Sequence, residues 1–221
     1  KRMPKYKNTK SITKLQRNKK YLVYIICIIV VSSVLVFWQK SAYSPVFLQE
    51  IAGVSGVDEK PVNQNDIDAH AVAADKPRIL IIPNIDLIAR IFEVGLTADN
   101  AVDTTKGIYD VGWYTGSSIP GQNGLAFLEG HVSGPNNMGI FYDLKKLKIG
   151  DEIIVEMGNG QKNTFAVKQS EEIKLEEVNM AKVLQSIDPN IPGLNLMTCS
   201  GKFNKIEDTF ANRYIVYSVL K

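Results

Sequence analysis

Arg78-Ile79-Leu80-Ile81-Ile82-Pro83 is a short run of aliphatic, largely β-branched residues, preceded by Pro77 and closed by Pro83. A run of that length is a strand's length, and continuous apolar character suits a strand covered on both faces. Leu87-Ile88-Ala89-Arg90-Ile91-Phe92-Glu93-Val94 reads as its partner, with Asn84 to Asp86 near the connection. Further along, residues 125–128, 153–157, 164–168, 194–198 and 214–220 repeat the pattern. Gly158-Asn159-Gly160 marks a hairpin turn between two of them. The stretches 116–124 and 133–139 are dense in Gly, Pro, Ser and Asn and read as loops. Short helices are expected over 98–106, ending at Gly107, and over 180–187. Many short strands with few helices predict an all-β barrel or sandwich beginning near residue 77.

N-terminal to that domain the texture differs. The chain is 45% apolar and 22% charged, which excludes wholesale disorder, and its net charge of +3 averages two opposed regions. Residues 1–20 hold nine Lys and Arg and no acid, whereas the remainder is acidic on balance. A basic tail can signal nucleic-acid binding, but the next segment explains it better. Residues 21–38, YLVYIICIIVVSSVLVFW, carry no charge and have Tyr21, Tyr24 and Trp38 near their edges. This is the pattern of a short membrane-spanning helix, and the positive-inside rule places residues 1–20 in the cytoplasm and everything after Trp38 outside. A cleavable signal peptide is the competing reading. It fits less well, because its apolar region is shorter and Ser41-Ala42-Tyr43 is a poor cleavage site. Residues 39–76 read as an extracellular stalk, Gly-, Asp- and Asn-rich without sustained period, and His70 within it is expected to be solvated.

Cys27 falls inside the predicted span and behaves as a small apolar residue. Cys199, in Leu194-Asn195-Leu196-Met197-Thr198-Cys199, is then the one exported thiol, without a disulfide partner. His131, in Leu128-Glu129-Gly130-His131, and Arg213, opening Arg213-Tyr214-Ile215-Val216-Tyr217, are candidates to serve it. A thiol is nucleophilic as thiolate, and neighbouring positive charge lowers its pKa. Attack on a carbonyl creates an oxyanion, which a guanidinium with its fixed fork of donors can stabilise. An imidazole can protonate the departing amine and deprotonate the incoming one. Each residue alone also has a bland reading: a buried small hydrophobe, a loop histidine, a surface cation. Thr198 either shapes the substrate and oxyanion site or fills a strand position.

The ordered set resembles the sortase family, membrane-anchored cysteine transpeptidases of Gram-positive bacteria. Gly130-His131 after an apolar strand, Leu196-Met197-Thr198-Cys199 with the family's Leu-x-Thr-Cys shape, and Arg213 at the last strand carry the resemblance over about residues 77–221. Gly112-Trp113-Tyr114, Ile119-Pro120-Gly121 and Phe141-Tyr142-Asp143-Leu144 support it, and Cys199-Ser200-Gly201-Lys202-Phe203 looks most like class F, with classes D and E as neighbours. The resemblance implies an eight-stranded β-barrel with its groove beside the last two strands. It implies cleavage of an LPxTG-like sorting signal between Thr and Gly through a thioester on Cys199. The acyl group would pass to an amine of a cell-wall precursor or a pilin lysine, with sorting-signal-bearing surface proteins as partners.

One residue departs from the family pattern. Glu129 stands where a small or apolar residue is common, and on an extended segment it shares a face with His131. Solvent at the strand end is its expected surrounding, with proximity to His131 the alternative. No metal site or cofactor is expected: two histidines and one exported cysteine at remote positions make no ligand set. Glu171-Glu172 and Glu176-Glu177 invite the thought of calcium, but a solvated acidic face is the simpler reading. Rival functions are another cysteine peptidase and a non-catalytic surface-binding β domain. Papain-like enzymes place Cys before His, opposite to this order, and L,D-transpeptidases put Arg where this chain has Gly201.

Overall fold

The computed structural model describes residues 56–221. The predicted tail and anchor lie outside the described residues. Among the described ones no helix is long and apolar enough to cross a membrane.

The expected strands form a closed barrel. β1 (Pro77–Ile82) and β2 (Leu87–Val94) make an antiparallel pair joined by a single 3-10 turn, in which Asp86 takes a left-handed conformation with φ 51°. β3 (Val111–Tyr114) lies parallel to β2, and β4 (Leu125–Gly130) is antiparallel to β3. β5 (Glu152–Met157) and β6 (Lys162–Lys174) form the hairpin around Gly158-Asn159-Gly160. β7 (Gly193–Asn204) and β8 (Thr209–Leu220) form a second, longer hairpin. The order around the barrel is β1-β2-β3-β4-β7-β8-β6-β5, and β5 closes it against β1. β7 enters parallel to β4 and antiparallel to β8, so the last hairpin sits between the two halves.

Period-2 alternation sorts the side chains. Leu80, Ile82, Ala89, Ile91, Trp113, Leu128, Phe165, Leu194, Leu196 and Val216 fill the barrel interior. On the opposite face of β4, β7 and β8, Phe127, Ile215 and Tyr217 form a second cluster under Val183, with Met180, Leu184 and Met197 packed against it. Val183 and Met180 come from the one-turn helix α2 (Met180–Val183), whose N-cap Asn179 accepts from the Lys182 N–H. β4 is therefore covered on both sides, and all six of its residues are buried.

Three expectations change. Residues 98–106 form no helix. Thr97 N–H donates to Ala101 O at 2.8 Å, Leu96 and Val102 form an antiparallel bridge, and Asn100 turns left-handed with φ 61°. A left-handed residue breaks helical propagation. The helix expected over 180–187 ends at Val183. From Asp58 onward the segment read as a stalk lies against the barrel. Asp58 pairs with Gly107, Ile67 of α1 (Gln64–Asp68) is buried, and Arg78 donates to the carbonyls of Ile67 and His70. His70 is half-buried, its Nε2 2.9 Å from Ile91 O and its ring against Phe92, so it is not solvated as expected.

Candidate active site

The last hairpin sets Cys199 directly opposite Arg213. Residues opposed across an antiparallel pair project to the same face, so thiol and guanidinium share the outer face of the sheet. Immediately after Cys199 the register slips between Ser200 and Phe203, and Gly201 takes φ 78°. This β-bulge bends the strand just past the thiol, a device that re-aims side chains at sites. Arg213 Nη1 donates to Phe210 O and Asn212 O, both at 3.0 Å, and Nη2 donates to Thr209 Oγ1 at 3.2 Å. A guanidinium has five N–H donors, so two remain unspent.

β4 brings the other half. Its register runs parallel to β7 with Glu129 level with Met197, and Thr198 Oγ1 donates to Gly130 O at 2.7 Å. Thr198 is buried, and its proton is committed to tying β7 to the end of β4. A side chain on Gly130 would strike Phe141 and Ile140, so glycine is needed there for the chain to pass. His131 follows directly on the end of β4. Its Nε2 lies 2.8 Å from Thr105 O, and because a carbonyl only accepts, Nε2 carries a proton. Nδ1 is left as the nitrogen that can exchange one. His131 thus bonds to the backbone of the β2–β3 connection rather than to Cys199.

Cys199, Arg213, Thr198 and Glu129 line one groove of about 440 Å³. Val102, Thr104, Leu175, Val178, Met180 and Leu184 also line it. The groove is thus mostly apolar with a few polar and charged groups, the form of a peptide or small-molecule site. Burial pushes the Cys199 thiol up, Arg213 pulls it down, and Glu129 pushes it up again, with a net rise. The lowered pKa anticipated for Cys199 is therefore not found: desolvation outweighs the guanidinium.

Glu129 is corrected more sharply. It is only 8% exposed rather than solvated, and burial pushes its carboxyl up to about 8. The Thr105 N–H and Arg213 favour its charged form and Asp103 opposes it. Three residues of the acidic pairs have partners. Tyr217 donates to Glu171 at 2.6 Å, Lys145 pairs with Glu172 at 3.1 Å and Lys174 with Glu177 at 3.6 Å. Among the described residues no cluster of metal-ligating side chains occurs.

A model of the sortase domain matches residues 80–221, and the chain belongs to the sortase family, whose members are cysteine transpeptidases. Among solved structures it is similar to sortase C-1 from Actinomyces oris, at 22% identity and a TM-score of 0.51, over 75% of this chain and 89% of that one. It is also similar to a lid mutant of sortase A from Corynebacterium diphtheriae, at 19% identity and a TM-score of 0.51, over 77% and 86%. The pilus-related sortase C of Group B Streptococcus matches at 19% identity and a TM-score of 0.51, over 79% and 80%. Likenesses at this identity speak for the fold. A comparison with curated proteins gave no match.

Sequence reasoning missed Thr105, whose carbonyl holds His131, and the other residues that line the groove, all brought in from distant segments. For Glu129 a signal was present. Leu125-Ala126-Phe127-Leu128 is apolar at every position, the mark of a strand covered on both faces, and Glu129 continues the face of Phe127.

Proposed function

We propose that Cys199 is the nucleophile, Arg213 the oxyanion donor and His131 the proton carrier of this transpeptidase. The substrate is an LPxTG-like sorting signal, cut between Thr and Gly. The supporting observation is the opposition of Cys199 and Arg213 in one groove beside the end of β4. The sulfur attacks the Thr carbonyl carbon while its proton passes to His131. The unspent N–H groups of Arg213 receive the negative oxygen. Collapse breaks the C–N bond, the His131 proton leaves with the Gly amine, and a thioester remains on Cys199. An incoming amine reverses the sequence, gives its proton to His131 and departs with the acyl group as a new amide. Thr198 acts by holding β7 to β4.

Residues 21–38 serve as the anchor, with the basic tail cytoplasmic and the barrel outside the cell. Sorting-signal-bearing surface proteins are the donors, and a cell-wall precursor or pilin lysine supplies the amine. The class F leaning rests on the Cys199-to-Phe203 continuation. The test is incubation of the full chain in detergent micelles with an LPxTG peptide and an amine, read by mass spectrometry. Transfer product together with an acyl adduct on Cys199, both absent in Cys199→Ala, is the expected result. An inert, unacylated Cys199 would refute the assignment.

A further inference from the structure

The reaction as proposed does not use Glu129, yet this buried carboxyl is the one acid among the residues that line the groove. Its Oε1 is enclosed and has no hydrogen-bond partner. It lies where a Cβ on Gly112, its register partner on β3, would approach to 2.9 Å, so the glycine of Gly112-Trp113-Tyr114 makes the room it occupies. The Thr105 backbone N–H lies close enough to favour the charged form of this carboxyl, and the carbonyl of that same residue holds His131 Nε2 at 2.8 Å. Thr105 is itself buried, its hydroxyl bonded to Gly107 O at 3.0 Å, so it is a fixed intermediary. On its other side Glu129 shares the groove with Cys199 and Arg213. Four groups therefore meet at or near this carboxyl: His131 through Thr105, Arg213, Cys199, and Asp103 on the loop above.

We propose that Glu129 is a positioning residue for the transfer reaction, fixing His131 through the Thr105 backbone and governing by its own charge how fully Arg213 serves Cys199. As the neutral acid it leaves the Arg213 charge to the thiol and the oxyanion. Once ionised it competes for that guanidinium and sets a negative charge beside the sulfur, which disfavours thiolate. Enclosure and the neighbouring Asp103 favour the neutral form at physiological pH. Sulfur and carboxyl thus titrate against each other, and the alkaline gain in thiolate is held back by Glu129. The inference rests on the assignment of Cys199, His131 and Arg213 made above.

The test compares wild type with Glu129→Gln, which keeps the shape of the neutral acid and cannot ionise. The full chain in micelles is alkylated with iodoacetamide between pH 6 and 9.5, and the Cys199 peptide is quantified separately from that of Cys27. The variant's Cys199 should react faster than wild type by a margin that widens above pH 7.5, reaching about three- to tenfold at pH 9, the effect of one unit charge at close range. Superimposable profiles would overturn the electrostatic part. Glu129→Leu, which removes the acceptor facing Thr105, should lower kcat for transfer more than it raises KM, with Glu129→Gln restoring much of the loss. Wild-type kcat in Glu129→Leu would overturn the positioning part. Alkylation needs no sorting peptide, so a wrong substrate assignment leaves the first readout intact, whereas a wrong site assignment shows as Cys199→Ala retaining transfer. Melting curves for each variant establish that it is folded.

Discussion

The buried Glu129 carboxyl should make the stability of the barrel fall with rising pH, by an amount that a single substitution isolates. Its folded-state pKa of about 8 lies above the unfolded value of 4.5. Between these values the unfolded chain has lost the proton and the folded chain keeps it. Stability is therefore fully present below pH 4.5 and drains away as pH rises toward 8, at about 1.4 kcal/mol per pH unit. From pH 5.5 to 7.5 wild type loses about 2–3 kcal/mol through this one group. A domain of this size moves about 2–4 °C in Tm per kcal/mol, so the loss is about 5–10 °C. Glu129→Gln has no such proton to lose. Titrating groups remote from Glu129 act equally in both proteins and cancel in the difference. The assay is thermal unfolding of wild type and variant across that pH range in micelles. The Tm of the variant relative to wild type should climb by about 5–10 °C as pH rises. A difference that stays constant with pH, or shrinks, would refute the claim that this carboxyl is enclosed and neutral.

Other consequences can be read in the same protein. Arg213→Lys retains the charge but loses the planar fork, and transfer kcat should fall about 10²-fold in steady-state assays. Thr198→Val removes the hydroxyl that donates to Gly130 O, leaving that buried carbonyl without this donor; unfolding should register a loss of about 1–3 kcal/mol, with a lowered kcat. Gly112→Ala drives a methyl against Glu129 Oε1 and the Val94 side chain, 2.9–3.1 Å away, and should cost about 1–3 kcal/mol by denaturant titration. Leu128→Ala, at a fully buried interior position of β4, should cost about 2–5 kcal/mol by the same measurement.

The strands were legible because each carries its own signature. β1 and β2 emerge within a residue of the runs read at 78–82 and 87–94, and the Gly158-Asn159-Gly160 turn falls where its composition puts it. β6, β7 and β8 run longer than their apolar runs suggested, to Lys174, Asn204 and back to Thr209. Those extensions are mostly polar, and pairing with neighbouring strands holds them together with a few buried contacts such as Phe203. The 98–106 segment misled because helix and tight loop share its short polar composition, and one left-handed residue decides between them.

The order His131, Cys199, Arg213 and the types of those residues were fixed by the chain alone, since a local motif needs only its neighbours to be recognised. So was the all-β class, because alternation and strand length are properties of consecutive residues. Which groups face one another was decided by tertiary structure. The β7–β8 register opposes Cys199 and Arg213, Thr105 arrives from the β2–β3 connection to hold His131, and the walls from residues 96–104 and 175–184 strip water from Glu129. A charge's cost depends on what surrounds it in space. Glu129 reads in the sequence as an ordinary acid at a strand end, and becomes a neutral, enclosed carboxyl only when the barrel closes and the loops cover it.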